Sequence, residues 1–283
     1  MEKSIDIIYF SKDRPLQLDL ALNSNRIQCQ DIGNNVSQKV IYLPTNNHFA
    51  EAYLALKEQY TEISFIKQTD DFKKDLLDNI FADYVMFVVD DTVFVKKYWL
   101  HDAVNTLNLV DDALGFSFRL GQNTLLCYPY FAWNSMPYIL NIHKSQSNNY
   151  ITSYNWAVSG NGDFSYPFEV SSSIYSIEVL SNALREPKYH NPNTLEAQLA
   201  LAVSKFSMSH NKLLCYKNSV AFSNPVNIVQ SFNNNRYGNH EAYNPENLLA
   251  LFNQGYRINP IKYEGMVPIG CHQEIPFELI KQP

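Results

Sequence analysis

The residues of this chain best placed to do chemistry are two adjacent carboxylates, Asp90 and Asp91, directly after Tyr84-Val85-Met86-Phe87-Val88-Val89. That run is apolar throughout and mostly β-branched or aromatic, the composition of a strand buried on both faces of a parallel sheet. In open α/β sheets ligands bind beyond the carboxyl ends of the strands, which is where this pair falls. Neighbouring carboxylates repel each other unless a proton or a cation lies between them. A hard divalent ion, Mn2+ or Mg2+, shared with substrate phosphates would answer that repulsion. The simpler alternative is a polar turn that closes a buried strand, a place where Asp is common.

The elements that must position the pair can be read on either side of it. Ile5–Phe10 is a first strand, and Pro15 suits the first turn of a helix that Ser11 or Asp13 could cap. Leu16, Leu18, Leu20 and Leu22 alternate as in a strand, but they also satisfy i,i+4 spacing, and Pro15 favours the helix. Lys39–Leu43 is a second strand, and Phe49, Tyr53, Leu56 and Tyr60 mark a helical stripe. Glu62–Ile66 is a third strand, and Phe72, Leu76, Leu77 and Ile80 mark a further helix capped by Thr69 or Asp70. Residues 5–94 thus read βαβαβαβ, the pattern of a mostly parallel sheet with helices on both faces. The first strand-to-helix turn has no glycine, which excludes a dinucleotide fingerprint and a phosphate-cradling Gly loop.

Beyond Val95 the pattern loosens. A helix near Trp99–Leu109 and a strand at Gly115–Arg119 precede a long stretch rich in Asn, Ser and Tyr, from about Asn123 to Ser173. A helix opens at Asn193 and runs to about Lys205; a strand at Ser219–Phe222, a loop at Phe232–Gly238 and a helix at Glu246–Gln254 follow. The tail from Tyr263 is extended. No internal repeat and no linker break the chain.

The chain has 283 residues, 46% of them apolar and 14% aromatic, ample for a large core. A net charge of -6 with no basic run excludes nucleic-acid binding and an electrostatic membrane anchor, though not a nucleotide ligand whose charge a metal offsets. The four cysteines form no CxxC pair, so reduced thiols are expected rather than a zinc site. With no signal-peptide pattern and no apolar run of spanning length, a soluble, cytoplasmic protein is expected, a peripheral place at the inner membrane face being left open.

Three stretches together, Tyr9-Phe10-Ser11-Lys12-Asp13-Arg14-Pro15, Phe87 to Phe94, and Asn193-Thr194-Leu195-Glu196, give the chain a resemblance to a known family. It resembles the GT-A-type glycosyltransferases, close to the family 2-like group, over roughly residues 5–120 and only loosely beyond. The resemblance implies an α/β fold with a mostly parallel mixed sheet flanked by helices and an irregular second half. Residues 1–110 would bind a nucleotide-sugar and residues 111–283 of the same compact domain an acceptor. It also implies a UDP- or GDP-type sugar donor, a divalent metal, and a glycan or lipid-linked acceptor in cell-surface polysaccharide synthesis.

By position in that family, Asp91 would hold the metal and Asp90 would face the donor ribose or sugar. This chain departs from the family's Glu-Asp-Asp and Asp-Asp-Asp forms, since Val89 precedes the pair and Thr92 follows it. Ser11, Asp13 and Arg14 would lie near the nucleotide, where Arg14 could meet a phosphate bidentately. The alternative for Asp13 is a helix cap, and for Arg14 a solvated side chain. Asp70, Asp71 and Lys74, at the next strand-to-helix junction, could line the same cleft or simply cap and solvate a helix.

An inverting transfer needs a base at the acceptor hydroxyl. Glu196 matches the family's placement of such an acid, although Asn193-Thr194-Leu195-Glu196 is also a capping-box arrangement with Glu at its third helical position. Asp163, in a Gly-rich loop, is the second candidate. His272 or His240 could complete a metal shell, a lone His more often being structural. Trp133, Trp156, Tyr128 and Tyr130 could stack on a sugar or fill the core, and the Phe232–Gly238 loop could close over a diphosphate or do nothing. Two other functions compete: a nucleotidyltransferase that makes the sugar nucleotide, and a non-catalytic relative that binds glycan or a partner enzyme.

Overall fold

A computed structural model describes residues 3–230 and 236–282. The first half follows the expected alternation: β1 (Ile5–Lys12), α1 (Pro15–Gln28), β2 (Val36–Leu43), α2 (Asn47–Gln59), β3 (Ser64–Lys67), α3 (Phe72–Leu77) and β4 (Tyr84–Val89). Then come β5 (Thr92–Phe94), α4 (Leu100–Leu109), β6 (Ala113–Ser117), the short pair β7 (Leu126–Cys127) and β8 (Ala132–Trp133), β9 (Ile139–Lys144), β10 (Tyr150–Asn155), β11 (Ser173–Ser176) and α5 (Ile177–Arg185). The chain ends with α6 (Pro192–Ala202), β12 (Lys212–Tyr216), β13 (Ala221–Ser223), α7 (Pro245–Asn253), β14 (Tyr256–Ile258) and β15 (Leu279–Lys281).

Nine of these strands form one sheet in the order β3-β2-β1-β4-β11-β6-β12-β10-β9. β1 runs parallel to both β2 and β4, β2 runs parallel to β3, and β12 is parallel to β6. β11 is antiparallel to β4 and to β6, and β10 is antiparallel to β12 and β9, so the sheet is mixed. Strands of the irregular half therefore extend the sheet that the regular half begins. The chain leaves β1 toward β2 on one side and returns to β4 on the other, which makes the β1/β4 boundary a topological switch point with a crevice at its carboxyl end.

Alternation along the strands divides the core between the two faces. Ile5, Ile7, Tyr9, Met86 and Val88 pack into one cluster, and Ile8, Phe10, Val85 and Phe87 into the other. The leucine alternation in α1 has a packing cause: Leu16, Leu18, Leu20 and Leu22 are all buried, because β5, β14, α2 and α7 pack around the helix.

Local capping differs from the sequence reading at three helices, and at α1 neither Ser11 nor Asp13 is the cap, Arg14 holding that position with no side-chain cap hydrogen bond. α3 is capped by Asp71, whose carboxylate accepts from the Lys74 N–H, while Thr69 bonds to Asp75. α6 starts earlier than expected, because Asn191 is its cap, in a reciprocal box with Thr194, and Pro192 takes the first turn. Proline fits there without loss of a hydrogen bond. Glu196 therefore sits one turn into the helix and takes no part in the cap. The β9–β10 hairpin lies within the stretch read only as rich in Asn, Ser and Tyr, and helix α5 follows that stretch, where no element was expected. The tail, expected to be extended, adds β15 against β14.

Candidate active site

A cleft of about 960 Å3 opens at the carboxyl ends of β1 and β4. Ser11, Lys12, Asp90 and Asp91 form its floor, the first turns of α6 with Glu196 form one wall, and the loop carrying Asp163 and Glu169 another. The register of β1 against β4 pairs Phe10 with Val89, so the residues that follow, Ser11 and Asp90, meet across the switch point.

Asp90 is buried, and both its carboxylate oxygens are engaged. Oδ2 accepts from Ser11 Oγ at 2.9 Å and from the Lys12 N–H at 3.2 Å, and Oδ1 accepts from Arg14 Nη1 at 3.0 Å. Burial raises the Asp90 pKa, with Arg14 opposing and Asp91 reinforcing that shift. Arg14 is buried too; its Nη1 also lies 3.6 Å from Asp91 Oδ2, and its Nη2 donates to the Asn227 carbonyl at 2.5 Å. One guanidinium is thus shared between the two acids, and the repulsion between them is answered inside the protein. Arg14 Nη1 and Nη2 are thus engaged within the protein, while its Nε is buried without a partner.

Asp91 differs from its neighbour. Its carbonyl accepts the Asn224 N–H at 2.8 Å, but its side-chain Oδ1 is buried without a hydrogen-bond partner and belongs to a residue that lines the cleft. An orphaned carboxylate oxygen beside a cleft is the atom a hard cation would take, the rest of its shell coming from phosphates and water. Among the described residues no group of three or more His, Cys, Asp or Glu gathers into a full protein shell. Residues 91, 223 and 272 are close in the fold: Thr92 pairs with Ser223, and Ser223 bridges to His272.

His272 lines the cleft with its Nε2 3.3 Å from Arg119 Nη1, and its Nδ1 is buried without a partner. Burial and then the Arg119 charge pull its pKa down to about 3, so the ring is neutral and accepts through Nε2. Arg119 also donates to Ser223 Oγ at 2.9 Å and to Glu169 Oε2 at 2.7 Å. Glu169 in turn accepts from the Ser171 N–H at 2.7 Å and from Ser173 Oγ.

Glu196 faces this buried pair from α6. Burial first, then the negative charge of Glu169, push its pKa up to about 7, against the pull of Arg119, Tyr166 and the Val170 N–H. A carboxylate poised near neutral pH in a cleft has the property a general base needs. Asp163 is more fully tied: its Oδ2 accepts from Asn134 Nδ2 at 2.9 Å, and its own N–H donates to Asn134 Oδ1 at 2.9 Å. Burial raises its pKa as well.

The cleft thus brings together Ser11, Arg14, Asp90, Asp91, Asp163, Glu196 and His272. Asp13, in the left-handed region at φ 52°, turns its carboxylate onto the Thr45 N–H at 2.8 Å and is not part of the lining. Asp70 is exposed and outside it, and Lys74 pairs with Asp78 along α3. His240 caps a short turn through Nδ1, away from the cleft. Trp156 is core, its Nε1 donating to the His210 carbonyl, whereas Tyr128 and Tyr130 line the cleft. The Phe232–Gly238 loop falls largely on residues 231–235, outside the described residues.

Sequence reasoning missed Arg119, Glu169 and Asn227. Arg119 carried a usable signal, a charge directly beyond an apolar strand, the same feature that marked Asp90. Glu169 and Asn227 lie in stretches without periodicity, where no signal pointed to them.

No protein-family model matches the chain. It is 27% identical over 250 residues to the bifunctional glycosyltransferase pgtA of Dictyostelium discoideum, a match covering 81% of this chain and 32% of that protein. The chain thus spans about a third of the length of that curated relative. Among solved structures, residues 1–349 of S. aureus TarS align with 79% of this chain and 61% of that one, at 14% identity and a TM-score of 0.49. TarS with UDP bound aligns over 75% and 57%, at 14% identity and a TM-score of 0.48. The mannosyltransferase PcManGT of Pyrobaculum calidifontis, with GDP-Man and Mn2+, aligns over 75% and 54%, at 9% identity and a TM-score of 0.45. By sequence, then, the chain is similar to a glycosyltransferase, and its fold is the large mixed α/β sheet flanked by helices that the GT-A resemblance implies.

Proposed function

We propose that this chain transfers a sugar from a nucleoside-diphosphate donor to a hydroxyl of a glycan or lipid-linked acceptor. One observation carries the reading: a half-free acid, Asp91, and a near-neutral acid, Glu196, line a single cleft at the switch point of the sheet. The first suits the donor end and the second the acceptor end. A divalent cation held by Asp91 would supply positive charge where the departing diphosphate becomes more negative; His272, whose Nε2 accepts from Arg119 and whose Nδ1 then carries the ring proton, stays outside its shell. Lys12, at the cleft floor with no described ion pair, adds a positive charge of the protein's own. Asp90, fully bonded to Ser11, Lys12 and Arg14, holds the floor in shape. Glu196 takes the acceptor proton, with Asp163 the alternative. Cell-surface polysaccharide as acceptor rests on the resemblance alone, and a cytoplasmic setting on the cysteine pattern.

Thermal shift with UDP and GDP, with and without Mn2+, tests this reading. Metal-dependent stabilisation that Asp91→Ala removes is the expected result. Stabilisation by a nucleoside triphosphate together with a sugar 1-phosphate would replace it with nucleotidyl transfer. No response to any nucleotide would leave a binding module.

A further inference from the structure

The hairpin formed by β7 and β8 carries four aromatic residues, Tyr128, Tyr130, Phe131 and Trp133, around a tight turn that Pro129 opens and the Phe131 N–H closes onto the Tyr128 carbonyl at 3.1 Å. Tyr128 faces inward, buried, with its hydroxyl on the Glu274 carboxylate. Tyr128, Pro129 and Tyr130 line the cleft. Tyr130, Phe131 and Trp133 are largely exposed, at 77%, 69% and 77%. Phe131 adopts φ 48°, a left-handed conformation that is unfavourable for a bulky residue and that collects at functional positions. The Arg236 guanidinium covers the Tyr128 and Phe131 rings at 4.6 and 4.4 Å and braces the turn.

Exposed aromatics grouped at a cleft mouth mark a binding surface. Its chemistry follows from what surrounds it. Between Arg119 and Lys144 the sequence holds no Asp, Glu, Lys or Arg, while the exposed Ser135 and the exposed, cleft-lining Asn161 supply a hydroxyl and an amide. Flat apolar rings flanked by uncharged hydrogen-bonding groups match a sugar, whose C–H face is apolar and whose rim is hydroxyl. A surface of anionic lipid is disfavoured, because the hairpin itself carries no Lys or Arg and the Arg236 charge beside it is spent on the Tyr128 and Phe131 rings.

Resting on the transferase reading above, we propose that this hairpin is a platform for an uncharged oligosaccharide acceptor. Tyr130 and Trp133 would take the faces of sugar rings beyond the one that meets Glu196, so the protein would extend a chain rather than a single sugar.

The test is ligand-observed NMR titration with neutral gluco-, manno- and N-acetylgluco-oligosaccharides of graded length, on wild type, Tyr130→Ala, Trp133→Ala and Trp133→Phe. Circular dichroism and thermal melting confirm that each variant folds. Affinity for at least one series is expected to rise tenfold or more from one unit to three. Both alanine variants should abolish that gain, and Trp133→Phe should keep most of it. Equal affinity at all lengths, a gain untouched by the alanine variants, or no binding to any series overturns the proposal. So does co-sedimentation with phosphatidylcholine vesicles that Trp133→Ala abolishes, which would make the hairpin a membrane wedge. Nucleotide stabilisation of the wild type is scored separately. Its presence without the length effect sinks only this inference, and the length effect without it sinks the transferase reading while leaving a glycan-binding surface.

Discussion

Arg14 Nη1 stands 3.0 Å from Asp90 Oδ1, and both side chains are less than a tenth exposed. The arginine comes from the turn after β1 and the aspartate from the turn after β4, so the pair locks the two strands together at the switch point. A buried ion pair adds little net stability over an apolar pair, but removing one partner strands the other charge.

Arg14→Ala is therefore expected to lower unfolding stability by about 3–5 kcal/mol. Arg14→Met combined with Asp90→Leu should lose much less than the two single variants together, because no lone charge is left buried. Urea denaturation of the four proteins checks this, and additive losses would mean that the pair is not coupled.

Glu196 links activity and stability to pH. Its folded-state pKa is pushed up to about 7 from the ordinary 4.5, so the stability linked to it is full below about pH 4.5 and lost as pH rises through 7. The cost of ionising it is on the order of 2 kcal/mol, discounted for partial exposure. Glu196→Gln should thus be more stable than wild type above pH 8. In the proposed role of base Glu196 would have to be ionised, so kcat/KM should rise through about pH 7 and the variant should lose that limb. A variant that keeps the limb would move the base elsewhere, Asp163 being the next choice.

Arg119 pulls the Glu196 pKa down while pairing with Glu169. Arg119→Lys keeps a charge but loses the two-pronged contact to Ser223 and Glu169. It should shift the rising pH limb upward by a fraction of a unit. Arg119→Ala should shift it further and also cost about 3–5 kcal/mol of stability through the stranded Glu169. Rate–pH profiles and denaturation curves on the same proteins check both effects; a limb that stays in place would dissociate Arg119 from Glu196.

Gly162 has φ 113°, and a Cβ built on it would lie 2.3 Å from Asn134 Oδ1, the atom that accepts the Asp163 N–H. Gly162→Ala should cost on the order of 1–3 kcal/mol from backbone strain and the displaced amide. It should also raise the acceptor KM more than the donor KM, since the neighbouring Asp163 is a candidate base for the acceptor. Steady-state kinetics with each substrate varied in turn reads the difference.

Much of the scaffold was legible in the chain because local physics wrote it there. The apolar run 84–89 has to be a buried strand, Pro15 has to open a helix, and an acid pair after such a strand has to leave the sheet at its ligand end. Glu196 and Asp163 were legible as acids in the second half, with a cleft as their expected setting. The leucines of α1 alternate because nearly all of that helix is buried, and Pro15 with the i,i+4 spacing was what marked the segment as helical. The cap of α6 lies two residues before the expected one because Asn191-Pro192 and Asn193-Thr194 both look like cap sites, and only packing chooses between them.

By itself, then, the sequence determined which segments are strands and helices in the regular half, and that two carboxylates emerge together at a strand end. Only the tertiary structure decided what those carboxylates meet. Arg14 and Asp90 are 76 residues apart in sequence, and Arg119 and Glu169 are 50 apart. Pairings at such distances leave no periodic trace, because they are set by which strands become neighbours in the sheet. The free oxygen of Asp91 and the near-neutral Glu196 are likewise properties of burial and neighbouring charge, which exist only once the chain has folded.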